Sequence, residues 1–199
     1  RNCRMFFVAS VPPNATSDST ATHSRLQYDP AADHAFPDGP VNEVLDRIRD
    51  DETINAYLEA QNVNPVTRMG YNDHGAKHVE IVRAAGLRLY DLLKAAGVGF
   101  NGAVDQGLDA ADEAVIIALS ATLHDIGHVV HRHEHSYYSI PLAADILDRF
   151  LGELDRYDPA DAIRLKGEIL HGILCHHSTE TPLTTEAGVV RIADALDME

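Results

Sequence analysis

Ala114-Val115-Ile116-Ile117-Ala118-Leu119-Ser120-Ala121-Thr122-Leu123-His124-Asp125 is a nearly unbroken apolar run that closes on an imidazole and a carboxylate. Asp109 precedes it as a helix cap, and Asp112 and Glu113 fall in the first turn, where negative charge suits the helix dipole. The segment reads as one helix that carries His124-Asp125 at its end.

Helical periodicity extends to both sides. Pro40 opens a helix striped by Val41, Val44, Leu45 and Ile48, and Ile54 to Leu58 suggest a second, short one. Asn72 or Asp73 is expected to cap a long helix that runs to about Ala96 and stops at Gly97. His78, Val82, Ala85, Leu89 and Leu92 would form its buried face. A Gly-rich loop leads from there to Asp109. Further helices are expected over about Ser139 to Gly152 and from Ala160 to about His177. Pro182 with Thr184 or Thr185 introduces a last one through Val189, Val190, Ile192 and Leu196. No alternating strand pattern and no internal repeat interrupts this order. The fold class is therefore all-α, an orthogonal helical bundle. Residues 1–40, rich in Ser, Thr, Asp, Ala and Pro, are expected to form an irregular N-terminal segment ahead of a helical domain over 41–199.

The chain has 199 residues, with 31 acidic and 16 basic side chains and a formal net charge of -15. Such a surface repels nucleic-acid backbones and anionic membranes, which argues against a non-specific polyanion binder. Lys77, Lys94 and Lys166 are the only lysines. Few lysines on an acidic chain give a halophile-like, archaeal-looking composition, since salt relieves self-repulsion. Cys3 and Cys175 suggest neither a disulfide framework nor a Cys-based zinc site, and no apolar run is long enough for a membrane span. A cytoplasmic setting is the default expectation.

The 12 histidines fall mostly in clusters. His74 and His78 form one, His124 and His128 frame Asp125 in another, and His131, His133 and His135 follow. His171, His176 and His177 come later, with Asp194 near the end. His78 lies on the apolar stripe of its helix, and His176 continues the stripe of Leu165, Ile169, Gly172 and Ile173. Buried polar groups need partners, and several imidazoles aimed into one core can share a metal. Imidazole with carboxylate suits Fe, Mn, Co, Ni or Zn, and carboxylate with water also suits Mg. Competing patterns are incomplete. Glu168-Ile169-Leu170-His171 supplies one of the two ExxH motifs a di-iron bundle needs, and His133-Glu134-His135 lacks the zinc-peptidase spacing. Cys175 beside His176 reads as a buried, inert thiol.

The ordered set resembles the HD superfamily of metal-dependent phosphohydrolases over roughly residues 70–199. His78-Val79-Glu80-Ile81-Val82 looks like its first motif, Leu123-His124-Asp125-Ile126-Gly127 like its signature, and Val190-Arg191-Ile192-Ala193-Asp194 like its closing motif. The resemblance implies an orthogonal bundle of the HD type and a metal held by His78, His124, Asp125 and Asp194. It further implies, in members with two metals, a second ion at His135 and His176 with Asp125 as the bridge; a pair of divalent ions is favoured over one. His131 and His133 read as loop or supporting residues. His74, four residues before His78, is similar in spacing to the general acid of cyclic-nucleotide phosphodiesterases of this superfamily. His128 stands where the cyclic-dinucleotide branch carries a lysine, and is expected to contact phosphate. That branch's Gly-Tyr-Pro signature is missing after His177. Glu134 and Glu168 are candidates to orient the ligating imidazoles.

The expected function is metal-dependent hydrolysis of a phosphomonoester or phosphodiester, with His74, Asp125 and His128 as catalytic residues. The substrate would be small, phosphorylated and nucleotide-like; homo-oligomerisation stays open. The alternative is a non-catalytic HD module that binds a nucleotide as a regulatory sensor. Asp194 lies five residues from the end of the chain, and relatives continue well past this motif, so the chain is expected to be a fragment.

Overall fold

The computed structural model describes residues 39–177 and 180–197. Its helices are α1 (Pro40–Asp50), α2 (Glu52–Ala60), α3 (Ala76–Ala95), α4 (Gly102–Asp105), α5 (Asp112–Leu123), α6 (His135–Gly152), α7 (Pro159–Cys175) and α8 (Thr185–Leu196). A wide π-type turn spans Val63–Arg68, and a 3-10 turn spans Ile126–Val129. No strand occurs among the described residues, and the architecture is the expected all-α bundle. None of the described helices is long and apolar enough to cross a membrane. The irregular segment expected over residues 1–40 lies, but for its last two residues, outside the described residues.

All residues of α5 are buried. A helix that is apolar on every side has no face to offer water, so it takes the centre, with α1, α3, α7 and α8 packed around it. Ile116, Ile117, Leu119 and Leu123 are at most 1% exposed, and each contributes roughly 1.5–3 kcal/mol by leaving water. The two carboxylates of its first turn are buried and partnered. Glu113 accepts from Lys94 Nζ at 2.9 Å and Tyr90 Oη at 3.1 Å, and Asp112 accepts from Tyr157 Oη at 2.8 Å. Burial and these carboxylates push both phenols well above the usual tyrosine range.

Several boundaries differ from the sequence expectation for identifiable reasons. Helix α3 begins at Ala76, after Gly75, because the Asp73 carboxylate turns back to Gly75 N at 2.7 Å and the Asn62 side chain holds His74 N at 2.7 Å. Its expected buried face holds for His78 and Val82, whereas Leu92 is 50% exposed beyond the edge of the bundle. The stop at Gly97 is present: this residue adopts φ 77°, and its N–H caps Lys94 O at 3.0 Å. Asp109 binds Ala111 N at 2.8 Å but does not cap α5, which starts at Asp112. The Gly-rich loop contains α4, tethered by the fully buried Glu186, whose carboxylate accepts from Gly102 N at 3.0 Å. Helix α6 starts at His135, four residues ahead of Ser139.

Candidate metal centre

Five segments bring their histidines and aspartates to one place. His78 comes from the first turns of α3, and His124 is the last residue of α5's path, with Asp125 next to it. His135 opens α6, His176 ends α7, and Asp194 comes from the last turns of α8. The abrupt turn after Asp125 depends on Gly127, where a Cβ would lie 2.0 Å from His135 O. Ser139 ties this turn to α6: its Oγ accepts from Gly127 N at 2.8 Å and donates to His124 O at 2.7 Å.

The two oxygens of Asp125 face different ways. Oδ2 lies 3.6 Å from His78 Nε2 and 3.5 Å from His124 Nε2, and Asp194 Oδ1 lies 3.3 and 3.5 Å from the same two nitrogens. Oδ1 lies 3.1 Å from His135 Nε2 and 3.6 Å from His176 Nε2. Ligands about 2.1 Å from one tetrahedral ion stand about 3.4 Å apart, so both groups have the right span for a cation.

Proton placement makes the fit specific. His124 Nδ1 faces Ala121 O at 2.8 Å, His135 Nδ1 faces Arg132 O at 2.9 Å, and His176 Nδ1 faces Ile173 O at 2.6 Å. His78 Nδ1 faces the Asp197 carboxylate at 2.8 Å. Carbonyl and carboxylate oxygens only accept, so each Nδ1 carries the proton and each neutral ring turns a lone pair inward from Nε2. These lone pairs meet in opposed pairs, His78 with His124 at 3.2 Å and His135 with His176 at 3.0 Å. Two facing lone pairs in a buried site repel unless a proton or a cation lies between them. The residues present therefore fit divalent metal at two adjacent positions sharing Asp125.

Without an ion between His78 and His124, a proton is favoured in its place. Burial alone would depress His124, but the Asp125 and Asp194 carboxylates hold it well above its ordinary value. His78 is likewise raised against its burial, with Asp194 the strongest opposing influence. Burial opposes ionisation of Asp125 and Asp194, yet their histidine neighbours hold both carboxyls well below the usual range. His176 is depressed by burial, which Asp125 only partly offsets.

His74 and His128 flank the same carboxylate. His74 Nδ1 is 3.0 Å from Asp125 Oδ2, and its Nε2 is 3.2 Å from Arg132 Nη1. Arginine only donates, so this Nε2 accepts and Nδ1 donates to Asp125. His128 is fully buried and stacked on His135, with ring centroids 4.1 Å apart. It does not line the cavity over the cluster, so the expected phosphate contact is corrected: this imidazole lies behind Asp125, not in front of it. Neither of its nitrogens has a hydrogen-bond partner, and burial pushes its pKa down to about 4.

Other expectations are also redrawn. Glu134 is exposed in a left-handed turn at φ 58°, and Glu168 accepts from Gln106 on another face, so neither orients an imidazole. Backbone carbonyls and Asp197 hold the imidazoles instead. His131 and His133 stay on the exposed loop, and His171 bonds Leu183 N at 3.0 Å away from the cluster. Cys175 is a buried thiol raised by burial. Asp197 and Arg132 carried no recognisable motif; the one available signal was their nearness in sequence to Asp194 and His135.

A model of the HD domain family matches residues 87–199. That span holds all the clustered residues except His74 and His78, which the fold brings to the same point. The chain is 36% identical over 155 residues to the uncharacterized protein MJ1020 of Methanocaldococcus jannaschii, a match over 78% of this chain and 59% of that protein. It is 29% identical over 130 residues to ribonuclease Y of Thermoanaerobacter pseudethanolicus, over 65% of this chain and 19% of that enzyme. The chain thus spans less than two thirds of the length of either relative. No solved structure matches it. With more than half of its residues inside the family match and His124-Asp125 at the meeting point of its helices, the chain belongs to the HD-domain family.

Proposed function

We propose that the chain is a metal-dependent phosphohydrolase acting on a phosphomonoester or phosphodiester of nucleotide-like type. The opposed Nε2 lone pairs around a shared Asp125 carry this reading, because that arrangement suits a pair of divalent cations. His78, His124, Asp125 and Asp194 would hold one ion, and Asp125, His135 and His176 the other. Bound there, divalent cations would offset phosphate charge and lower the pKa of the attacking water. Asp125 Oδ2 is held by His74 Nδ1 at 3.0 Å, and the buried His128 ring packs behind it with Nε2 3.5 Å from Oδ1. His74 also reaches the cavity and is the candidate proton donor to the leaving oxygen, a contribution of about 10²–10⁴-fold. For that role its Nε2 must first be released by Arg132. The likeness to a ribonuclease makes phosphodiesters the first class to assay.

The decisive test is metal content of protein purified without chelator, compared with Asp125→Ala, alongside turnover of bis(p-nitrophenyl) phosphate. The expectation is about two transition-metal ions per chain, lost together with turnover in the variant. A wild-type chain that is metal-free and gains no activity with Mn or Mg refutes the proposal. Metal uptake without hydrolysis under any metal would instead favour a regulatory nucleotide-binding module.

A further inference from the structure

Two cavities meet at Arg132. One, of about 550 Å³, opens over the His/Asp cluster, and the other, of about 510 Å³, shares Tyr71, Arg132, His135 and His177 with it. Arg132 and Arg191 are the guanidinium groups lining the first cavity.

Their electrostatic situation is unusual for this chain. With 31 acidic side chains against 16 basic ones, most cations have a carboxylate to pair with. Lys94, Arg149, Arg156 and Lys166 sit 2.6–3.3 Å from one. Among the described residues neither Arg132 nor Arg191 forms such a pair. Arg132 is instead positioned by neutral groups: its guanidinium lies 4.1 Å over the Tyr71 ring, and Nη1 rests against His74 Nε2. Arg191 is steadied by a 2.8 Å hydrogen bond from Nη1 to Glu180 O. A stacked guanidinium keeps its charge and most of its planar donor fork available, which is the geometry that recognises phosphate.

The second cavity has a different character. Met69, Tyr71 and Tyr137, each 46–49% exposed, give it apolar and aromatic surface beside the rings of His131, His133, His135 and His177, and among the described residues Glu134 is the only carboxylate on its wall. Its size and lining suit a ring system, not a second small anion. We propose that Arg132 and Arg191 grip the substrate phosphate above the His/Asp cluster, and that the cavity beyond Arg132 receives the nucleoside-sized organic group of the same molecule. This rests on the phosphohydrolase reading and sharpens it to a nucleoside phosphoester. It also gives Arg132 a reason to leave His74, since a phosphate oxygen is a far stronger acceptor than a neutral imidazole.

The test is equilibrium binding to the Mn-loaded chain of two probes, inorganic phosphate and a hydrolysis-resistant phosphonate analogue of adenosine monophosphate. Arg132→Gln is expected to weaken both probes about 10- to 100-fold, with a smaller loss in Arg132→Lys, which keeps charge but not the fork. Tyr137→Ala should weaken the nucleotide analogue about fivefold or more and leave inorganic phosphate unchanged, and Tyr137→Phe should restore it. Thermal melts check that each variant folds, and Arg191→Gln gives an independent arm for the phosphate grip. Metal uptake with phosphate affinity unchanged in both arginine variants overturns the grip alone. A nucleotide analogue that binds no tighter than phosphate and ignores Tyr137 overturns the second chamber. A wild-type chain that takes up no metal overturns the phosphohydrolase reading itself, and this proposal with it.

Discussion

Before a cation can take the Nε2 of His124, a proton must leave it. The Asp125 and Asp194 carboxylates hold His124 well above the ordinary histidine value of about 6.5, despite burial. In the metal-free protein this group contributes stability that is fully present below about pH 6.5 and is lost as pH rises through the folded pKa. The depressed Asp125 and Asp194 act in the opposite sense, contributing stability that disappears only in acid. A metal bound as proposed would compete with the His124 proton, so affinity should fall about tenfold per pH unit for each proton displaced as pH drops from about 8 to 6. Calorimetric titration with Mn in buffers of differing ionisation enthalpy reads both the affinity and the proton release. An affinity flat across that range with no protons released would rule out this competition. At this scale the residues that meet at one point were legible, since His78, His124, Asp125, His135, His176 and Asp194 carry spacing and type. Asp197 was not, because a lone acidic residue after a helix looks like any solvated one.

Individual helices matter here chiefly through their ends. His124, His135 and His176 all sit at helix termini, where the chain can turn an imidazole inward while its Nδ1 satisfies a free carbonyl. Ser139 is the clasp between two such ends, satisfying the buried Gly127 N–H and His124 C=O together. Ser139→Ala leaves both groups unpartnered and should cost about 1–3 kcal/mol, read as a lower urea midpoint at unchanged slope. Equal midpoints for variant and wild type would show that the clasp is dispensable. The helices themselves were legible from apolar periodicity, but their starts were not. Helix α6 begins at His135 because Glu134 adopts a left-handed conformation and Arg132 O accepts from His135, and neither contact has a sequence signature.

Across the whole molecule, the His/Asp cluster joins α3, α5, α6, α7 and α8 at one point, so an ion there would act as a cross-link between most of the bundle. Ligand present at about 100-fold above its Kd adds about 2.7 kcal/mol to stability. For a chain of this size that corresponds to about 5–10 °C in Tm. A chelator should therefore lower the melting temperature by that order, and restoring Mn should recover it. Identical melting curves with and without chelator would contradict a cross-linking metal. The acidic excess acts at the same scale and in no particular place. A formal charge of -15 puts carboxylates within reach of most cations, which is why two cavity arginines without a carboxylate partner among the described residues are informative.

Local pattern in the chain was enough for the class of fold and for the main chemical groups. Apolar residues recurring at helical spacing dictate helices that must bury a face, and α5, apolar all round, can only lie at the centre. Histidines on those buried faces must find partners, and an aspartate beside one of them points to metal. Helix packing set which oxygen of Asp125 faces which pair of imidazoles, which carbonyl holds each Nδ1, and that His128 lies behind the cluster instead of over it. It also placed Arg132 between two cavities, stacked on Tyr71. The facing imidazole pairs join residues 41 and 46 positions apart, and His78 meets Asp197 across 119, contacts set by how helices cross and about which local periodicity carries no information.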